Sequence, residues 1–527
     1  MEKKITVRAI ESASGKETIV YLSRGENLLD ALVSSLHSIS SECQGMGTCG
    51  KCSIRVVEGA LEITSQDRVI FSALELERGY RLACMAYPDK DCTIMLSSRI
   101  GNDYKVVTEV LSHPTDKVSS TKVALSPTHE STYENITYAI AIDLGTTTLA
   151  IALVALPSGD ILDKYTAINP QKVYGADVVA RIKASNEGKL SKLSELIREA
   201  LLMGILQLGE RNQIGLGDIS QIIISGNTTM IHLFMKYPCS RLGTYPFTPY
   251  KQGIINVRSD EVFGIVDRIP IILLPGVSVF VGGDITAGLL ACDIELEEKP
   301  CLFIDLGTNG EMALGNRERI IVTSTAAGPA FEGGNISCGN GSVPGSICHV
   351  SLVGGQLSYD TIDDKPAVGL CGTGLIELVS MLIKEGIIDS SGLLADSYFD
   401  DGYPIAGMKL KQKDIRELQL AKAAIRAGVD ILIKSYDISY EQVDKVFIAG
   451  GFGYHLDIDK AVLIGLLPEA LVEKTKAVGN TSLSGAIRIL TDAEARHKIE
   501  RIISISEEIN LSNVEEFNDL FISYMSF

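Results

Sequence analysis

Two short runs of alternating character, Ile5 to Ile10 and Thr18 to Leu22, flank the turn-like Ser12-Ala13-Ser14-Gly15 and predict a β-hairpin. Between Glu26 and Leu36 the apolar residues fall at 28, 29, 32, 33 and 36, the stripe of an amphipathic helix. A glycine-rich loop, SECQGMGTCGKC, leads into the strand SIRVV. A helical stretch near Val69 to Leu76 follows, and then a last short strand from Cys92 to Leu96. Hairpin, helix, loop, strand and closing strand make a small β-grasp arrangement over residues 1–97. Residues 98–135 lose periodicity and gain Ser, Thr, His, Pro and Asn, so they read as a linker, which as a flexible coil would span roughly 35 Å.

From Tyr138 the pattern changes. The apolar strand YAIAI runs into Asp143-Leu144-Gly145-Thr146-Thr147-Thr148 and then into LAIALVAL. At Cys301 it returns: CLFI, then Asp305-Leu306-Gly307-Thr308-Asn309-Gly310-Glu311, then MALG. Each D-L-G-T sits at the turn of an apolar hairpin, and repetition on this scale signals a duplicated domain. Its physical logic is nucleotide binding between two lobes. Glycine lets the turn's backbone approach a phosphate, hydroxyls and N–H groups donate to its oxygens, and the carboxylate holds Mg²⁺, usually through water. One D-x-G-T is a weak signal; two in equivalent halves are a strong one.

Cysteine usage adds a second chemistry. Of eleven cysteines, Cys43, Cys49, Cys52 and Cys84 are spaced C-x5-C-x2-C-x31-C. A 2Fe–2S cluster needs four thiolates, three from a tight glycine-bearing loop and a distant fourth. The first gap is one residue longer than in plant-type ferredoxins and resembles the adrenodoxin and corrinoid-activator branch. A structural zinc site prefers paired C-x2–4-C knuckles, and only Cys49 and Cys52 make one; inert thiols are the remaining alternative. The same loop matches G-x4-G-K, but Cys52 stands where a phosphate loop needs Ser or Thr, so a Walker site is rejected.

Composition then narrows the class. With 527 residues, 46% apolar and 22% charged, the chain has several domains' worth of core-forming sequence. A net charge of −18 argues against nucleic acid as the main partner. No apolar run is long enough to cross a bilayer and no secretory leader is evident, so the expectation is no membrane partner and a cytoplasmic location. Neither a D-x-H-x-x-G corrinoid signature nor a G-x-G-x-x-G after a strand occurs, which points to electrons arriving from, and leaving to, other proteins.

The paired D-L-G-T hairpins, with Ile448-Ala449-Gly450-Gly451-Phe452-Gly453 after a late apolar strand, resemble the ATPase superfamily of actin, sugar kinases and heat-shock chaperones. Between them lie Thr325-Ala326-Ala327-Gly328-Pro329-Ala330-Phe331-Glu332-Gly333 and Gly369-Leu370-Cys371-Gly372-Thr373-Gly374. With Ser225-Gly226-Asn227-Thr228-Thr229-Met230, Val281-Gly282-Gly283-Asp284 and the amino-terminal ferredoxin, the chain resembles the reductive activators of corrinoid proteins over its whole length.

That resemblance implies a multidomain α/β protein: a β-grasp 2Fe–2S ferredoxin at 1–97, a linker at 98–135, a first actin-like half at 136–298 and a carboxy-terminal ATP-binding region at 299–527. The duplicated part would have the ribonuclease H-like fold. It implies an enzyme in which ATP drives one electron from the cluster to Co(II) of a corrinoid protein, regenerating Co(I) for methyl transfer. Cys43, Cys49, Cys52 and Cys84 would hold the cluster, and Asp143 and Asp305 the magnesium shell. Gly145, Thr146, Thr147, Gly307, Thr308 and Asn309 would meet phosphates; Gly372, Thr373, Gly450, Gly451 and Gly453 would line the nucleoside; Glu311 would orient the attacking water. A low-potential donor of ferredoxin or flavodoxin type and a homodimer belong to the same expectation. Three rivals share parts of the pattern: an activator of radical dehydratases or reductases, a ferredoxin-linked nucleotide sensor, and a sugar or acetate kinase, which leaves the ferredoxin unexplained.

Overall fold

The computed structural model describes residues 4–11, 17–35, 39, 47, 52–96, 137–353, 356–451 and 456–527. Cys43, Cys49, Gly453 and the expected linker lie outside the described residues. The chain forms two compact units, Met1–Asp103 with Ile168–Ala200 and His232–Tyr250, and Tyr104–Ala167 with Leu201–Ile231 and Lys251–Phe527.

In the first unit, β1 (Ile5–Glu11) pairs antiparallel with β2 (Glu17–Leu22), as the alternation predicts, and α1 (Leu28–Ser34) follows. Next come β3 (Ser53–Glu58), α2 (Ser65–Ile70), α3 (Ala73–Glu77), β4 (Tyr80–Leu82) and β5 (Cys92–Leu96). The sheet order is β2-β1-β5-β3-β4, with β1 and β5 parallel. Leu28, Leu29, Leu32 and Val33 of α1 are buried in one core with Val7, Ala9, Val20, Leu22, Ile54 and Ile94 of the sheet, and Val173 and Leu196 join it. The expected single helix near 69–76 is two helices. Thr64 closes a capping box with Asp67, and Ser72 closes a second with Glu75; each box satisfies the backbone donors that open a helix, so the second begins a new one.

The second unit carries the duplication. Its first half has β6 (Thr137–Leu144), β7 (Thr148–Leu156) and β8 (Ile161–Ile168), each D-L-G-T occupying a β-hairpin turn as expected. The chain continues through α4 (Val178–Ala184) and α5 (Leu190–Asn212) to β9 (Ile219–Gly226), α6 (Thr228–Met235), β10 (Ile255–Arg258), α7 (Ser259–Phe263), β11 (Pro270–Leu273) and α8 (Gly283–Ala291). Its second half opens with β12 (Cys301–Leu306), β13 (Gly310–Gly315) and β14 (Ile320–Thr325). An insertion follows: β15 (Ser346–Val353), β16 (Gln356–Thr361), β17 (Gly369–Leu370), α9 (Gly372–Lys384), α10 (Asp396–Phe399), β18 (Tyr403–Ile405), β19 (Met408–Leu410) and α11 (Gln412–Tyr436). The half closes with β20 (Lys445–Ala449), α12 (Ile458–Leu463), β21 (Thr475–Gly479), α13 (Thr481–Thr491), α14 (Ala495–Ser504), β22 (Ser506–Glu508) and α15 (Glu515–Ser523).

The two six-stranded sheets run β10-β11-β9-β6-β7-β8 and β21-β20-β12-β13-β14-β22. Five strands correspond one to one: β11-β9-β6-β7-β8 repeats as β21-β20-β12-β13-β14, with β6/β9 and β12/β20 parallel. Helices α8 and α13, which follow the corresponding strands β11 and β21, share one apolar core. They approach so closely that a Cβ on Gly485 would stand 2.2 Å from the Ala287 carbonyl oxygen, so a glycine is needed at that crossing. No helix among the described residues is long and apolar enough to cross a membrane.

Candidate functional site

In each sheet the carboxyl ends of one parallel pair, β6/β9 and β12/β20, point the same way, and loops leaving the two pairs meet at one place. There, wholly within the second unit, lies a cleft lined by Asp143, Gly145, Thr146, Thr147, Asp305, Gly307, Thr308, Asn309, Glu311, Gly450 and Gly451. Residues read from two distant hairpins and a late glycine turn thus face one space. Thr147 and Thr308 bring the two hairpins into contact, with hydroxyl oxygens 3.3 Å apart. Gly450 has φ +96°, and a Cβ there would stand 2.6 Å from the Leu306 carbonyl oxygen and 3.0 Å from Asp305 Oδ1. A side chain at that turn would strike the second hairpin.

Gly372 and Thr373 are placed differently from the expectation. They open α9, are buried, and are absent from the described lining of the cleft. The Thr373 hydroxyl lies 3.1 Å from Cys371 Sγ. Gly341 and Ser342, by contrast, line the cleft.

Several lining residues were not singled out from the sequence for a role. Asp284, in the first turn of α8, and Asn480, Thr481 and Ser482, at the start of α13, occupy corresponding positions in the two halves. Extending the repeat from the hairpins to the third parallel strand of each half would have found them. The Asn480 amide donates to Asp143 Oδ2 (2.8 Å) and the Ser482 hydroxyl donates to Oδ1 (2.7 Å). Asn227 donates to the Thr146 hydroxyl (2.8 Å). Glu332 lies in a short helical turn, and its Oε2 accepts from Thr147 (3.0 Å) and Thr308 (2.6 Å).

Five carboxylates therefore share the cleft: Asp143, Asp284, Asp305, Glu311 and Glu332; no Lys, Arg or His stands among its described lining residues. Depth in the protein pushes the Asp305 carboxyl up to about 8, and the Asp284, Asp143 and Glu332 charges add to the effect. Asp284 rises to about 7 through the same desolvation and the Asp143 charge. Desolvation also raises Asp143, against the hydrogen bonds from Ser482 and Asn480, and raises Glu311 well above the usual carboxylate range. An acidic cleft without fixed cations is completed by a mobile one. Among the described residues no three acids, histidines or cysteines stand close enough to cage a metal by themselves. That suits Mg²⁺, which keeps several waters and shares its shell with substrate phosphates.

In the first unit, Cys52 and Cys84 are buried with sulfurs 3.2 Å apart. Two thiolates on one tetrahedral metal, with bonds of ~2.3 Å, stand roughly 3.5–4 Å apart, so the two sulfurs would move apart by a few tenths of an ångström to share one iron of a cluster. The Cys84 segment is pinned on both sides. Asn27, the N-cap of α1, donates to the Cys84 carbonyl (2.9 Å), and buried Asp67 accepts from the Leu82 amide (2.8 Å).

Comparisons with known proteins agree with both halves of this picture. Residues 299–527 match the family described as the C-terminal domain of RACo, the ASKHA domain; 138–297 match the RACo middle region; 12–89 match the 2Fe-2S iron-sulfur cluster binding domain. The corrinoid activation enzyme RamQ of Eubacterium limosum is 33% identical over 408 residues, covering 72% of this chain and 68% of the relative. The [Co(II) methylated amine-specific corrinoid protein] reductase of Methanosarcina barkeri is 28% identical over 427 residues, covering 74% and 77%. A solved structure of a reductive activator for corrinoid, iron-sulfur protein aligns over 99% of this chain and 98% of its own, with 29% identity and a TM-score of 0.71.

Proposed function

The chain belongs to the family of reductive activators of corrinoid proteins, and from that premise we propose how its residues divide the work. The activity is ATP-dependent reduction of a corrinoid protein, in which Co(II) of the substrate gains one electron and becomes Co(I). A 2Fe–2S cluster on Cys43, Cys49, Cys52 and Cys84 supplies single electrons at low potential, near about −400 mV for plant-type clusters. Co(I) is a stronger reductant still, so the transfer needs a conformation that nucleotide stabilises.

Asp143 and Asp305 would hold Mg²⁺, Asp143 being aimed by Asn480 and Ser482. Thr146, Thr147, Thr308 and Asn309 donate to phosphate oxygens, while Gly145 and Gly307 let the backbone approach. Gly450 and Gly451 form the nucleoside wall. Glu311, opposite Asp305 in the β12/β13 register, orients the attacking water. The corresponding partner of Asp143 in the first half is Ala150, so only the second hairpin carries such a group.

One observation carries this assignment: two hairpins of the same sequence type, from two sheets of the same strand order, meet at one acidic cleft through Thr147 and Thr308. The same reading takes a ferredoxin- or flavodoxin-type donor, a homodimer and a reducing, cytoplasmic setting as expectations of the family. The test is anaerobic reduction of a Co(II) corrinoid protein by the reduced, cluster-loaded chain, followed by the Co(I) absorption band. The band is expected to form with MgATP and not without it. ATP hydrolysis with no corrinoid protein reduced would overturn the reading.

A further inference from the structure

Glu332 has no part in the division of labour above, yet it occupies the centre of the site. Its Oε2 takes the hydroxyl protons of both Thr147 and Thr308, one from each hairpin. Those are the donors that a phosphate between the hairpins requires. Each hydroxyl has one proton, so neither can serve a phosphate while the carboxylate holds it. The turn that carries Glu332 is set by its neighbours. Gly328 and Gly333, both with φ +77°, bracket Pro329–Glu332, and a Cβ on Gly333 would stand 2.1 Å from the Asn340 carbonyl oxygen. The backbone is therefore held in place, so displacement of the carboxylate would fall on the side chain rather than on the turn.

The direction of the nucleotide follows from the glycine wall. Gly450 abuts Asp305 and Leu306 of the second hairpin, so a nucleoside there extends its phosphates toward the first. Thr147 and Thr308 stand where the two hairpins meet, their hydroxyls 3.3 Å apart, and on that reading the last phosphate would come between them. A carboxylate and a phosphate cannot share these hydroxyls, because two anions placed together with no Lys or Arg among the described lining residues repel.

We propose that Glu332 is an internal competitor for the terminal phosphate: it clasps Thr147 and Thr308 together until a nucleoside triphosphate displaces it, so that Glu332 distinguishes triphosphate from diphosphate. This rests on the nucleotide-site reading above. Glu332 is on this account a positioning residue, which acts through the two threonines. A competitor that must leave lowers apparent affinity by the fraction of time the site is open, and loss of its charge therefore tightens binding of the longer nucleotide alone.

The experiment uses the full chain, cluster-loaded and anaerobic, titrated calorimetrically with the magnesium complexes of ADP and of a non-hydrolysable ATP analogue. Glu332→Gln is expected to bind the analogue at least tenfold more tightly, with ADP affinity changed by less than threefold. Glu332→Asp, whose carboxylate is one methylene too short to hold both threonines, is expected to shift the same way by a smaller factor. It serves as the test if the Gln variant does not fold, judged by its far-ultraviolet circular dichroism and melting curve. Equal changes for both nucleotides, or unchanged affinities with a lower hydrolysis rate, would overturn the inference and leave the site intact. Failure of the wild-type chain to bind either nucleotide would instead overturn the site reading itself.

Discussion

The side-chain amide of Asn480 donates to the Asp143 carboxylate over 2.8 Å, although 337 positions of chain separate them. Asn480 is also the N-cap of α13, its side-chain Oδ1 accepting from the Leu483 amide at 2.8 Å. One side chain thus opens a helix and aims a carboxylate. Asn480→Ala should lose about 1–3 kcal/mol of stability, from the cap and the lost hydrogen bond together. Asn480→Asp keeps the cap and sets a second acid against Asp143, so it should stay folded and lose MgATP affinity. Melting curves with nucleotide titrations separate the two effects; equal behaviour of the variants would contradict the dual role.

Asp305 stands among four other cleft carboxylates; burial and their mutual repulsion push it up to about 8, and the repulsion is relieved by a proton or by a cation. Asp305→Asn should therefore melt a few degrees higher than wild type without nucleotide, while binding MgATP at least tenfold more weakly. The cluster spectrum should be unchanged, and ATP-dependent corrinoid reduction lost. Undiminished MgATP affinity would remove Asp305 from the magnesium shell.

At Gly450 the positive φ and the 2.6 Å approach to the Leu306 carbonyl oxygen act together. Gly450→Ala should cost about 1–3 kcal/mol and displace the second hairpin. Nucleotide binding should suffer more than the melting temperature suggests. A variant with wild-type nucleotide affinity would show that the turn has slack.

Cys84→Ser removes one of two sulfurs held 3.2 Å apart. Iron content and the visible absorption of the cluster should fall sharply, whereas MgATP affinity should stay within about twofold, because every described residue of the nucleotide cleft lies in the other compact unit. Iron analysis and calorimetry on the same sample decide it, and retention of a full 2Fe–2S spectrum would remove Cys84 from the ligand set.

Glu295 supplies a pH dependence away from the cleft. It is 1% exposed, neither carboxylate oxygen has a hydrogen-bond partner among the described residues, and burial, reinforced by Asp293, pushes it up to about 7. An unfolded glutamate releases its proton near pH 4.3, so between these values the folded state binds the extra proton. Stability is then greatest at the acid end and is lost as pH rises from about 4.3 through about 7, by about 4 kcal/mol. Glu295→Gln should match wild type near pH 5 and exceed it above pH 7 in denaturant unfolding. A difference that does not change with pH would contradict this.

Local chemistry was legible along the chain where it is carried by short spacings. The C-x5-C-x2-C…C pattern, the two D-L-G-T turns and the Gly450-Gly451 turn each declare themselves within a few residues, and the duplicated fold class followed from them. The small helices near 69–76 escaped because two capping boxes, at Thr64/Asp67 and Ser72/Glu75, interrupt what periodicity joins. Asp284, Asn480 and Ser482 escaped as site residues because a loop end becomes part of a site only through the strand order that carries it there.

The sequence by itself determined the chemistry in kind: thiolates for an iron–sulfur cluster, paired hairpins for a nucleotide, and a net charge of −18. Only the tertiary structure decided which carboxylates crowd together, that Asn480 and Ser482 hold Asp143, and that Glu332 sits on the hydroxyls of both hairpins. The reason is physical. A turn or a metal-binding loop is specified by neighbours in sequence through backbone sterics and ligand spacing. Desolvation, repulsion and competition for a hydroxyl proton depend on distances between residues as far apart as Thr147 and Glu332, and folding alone sets those.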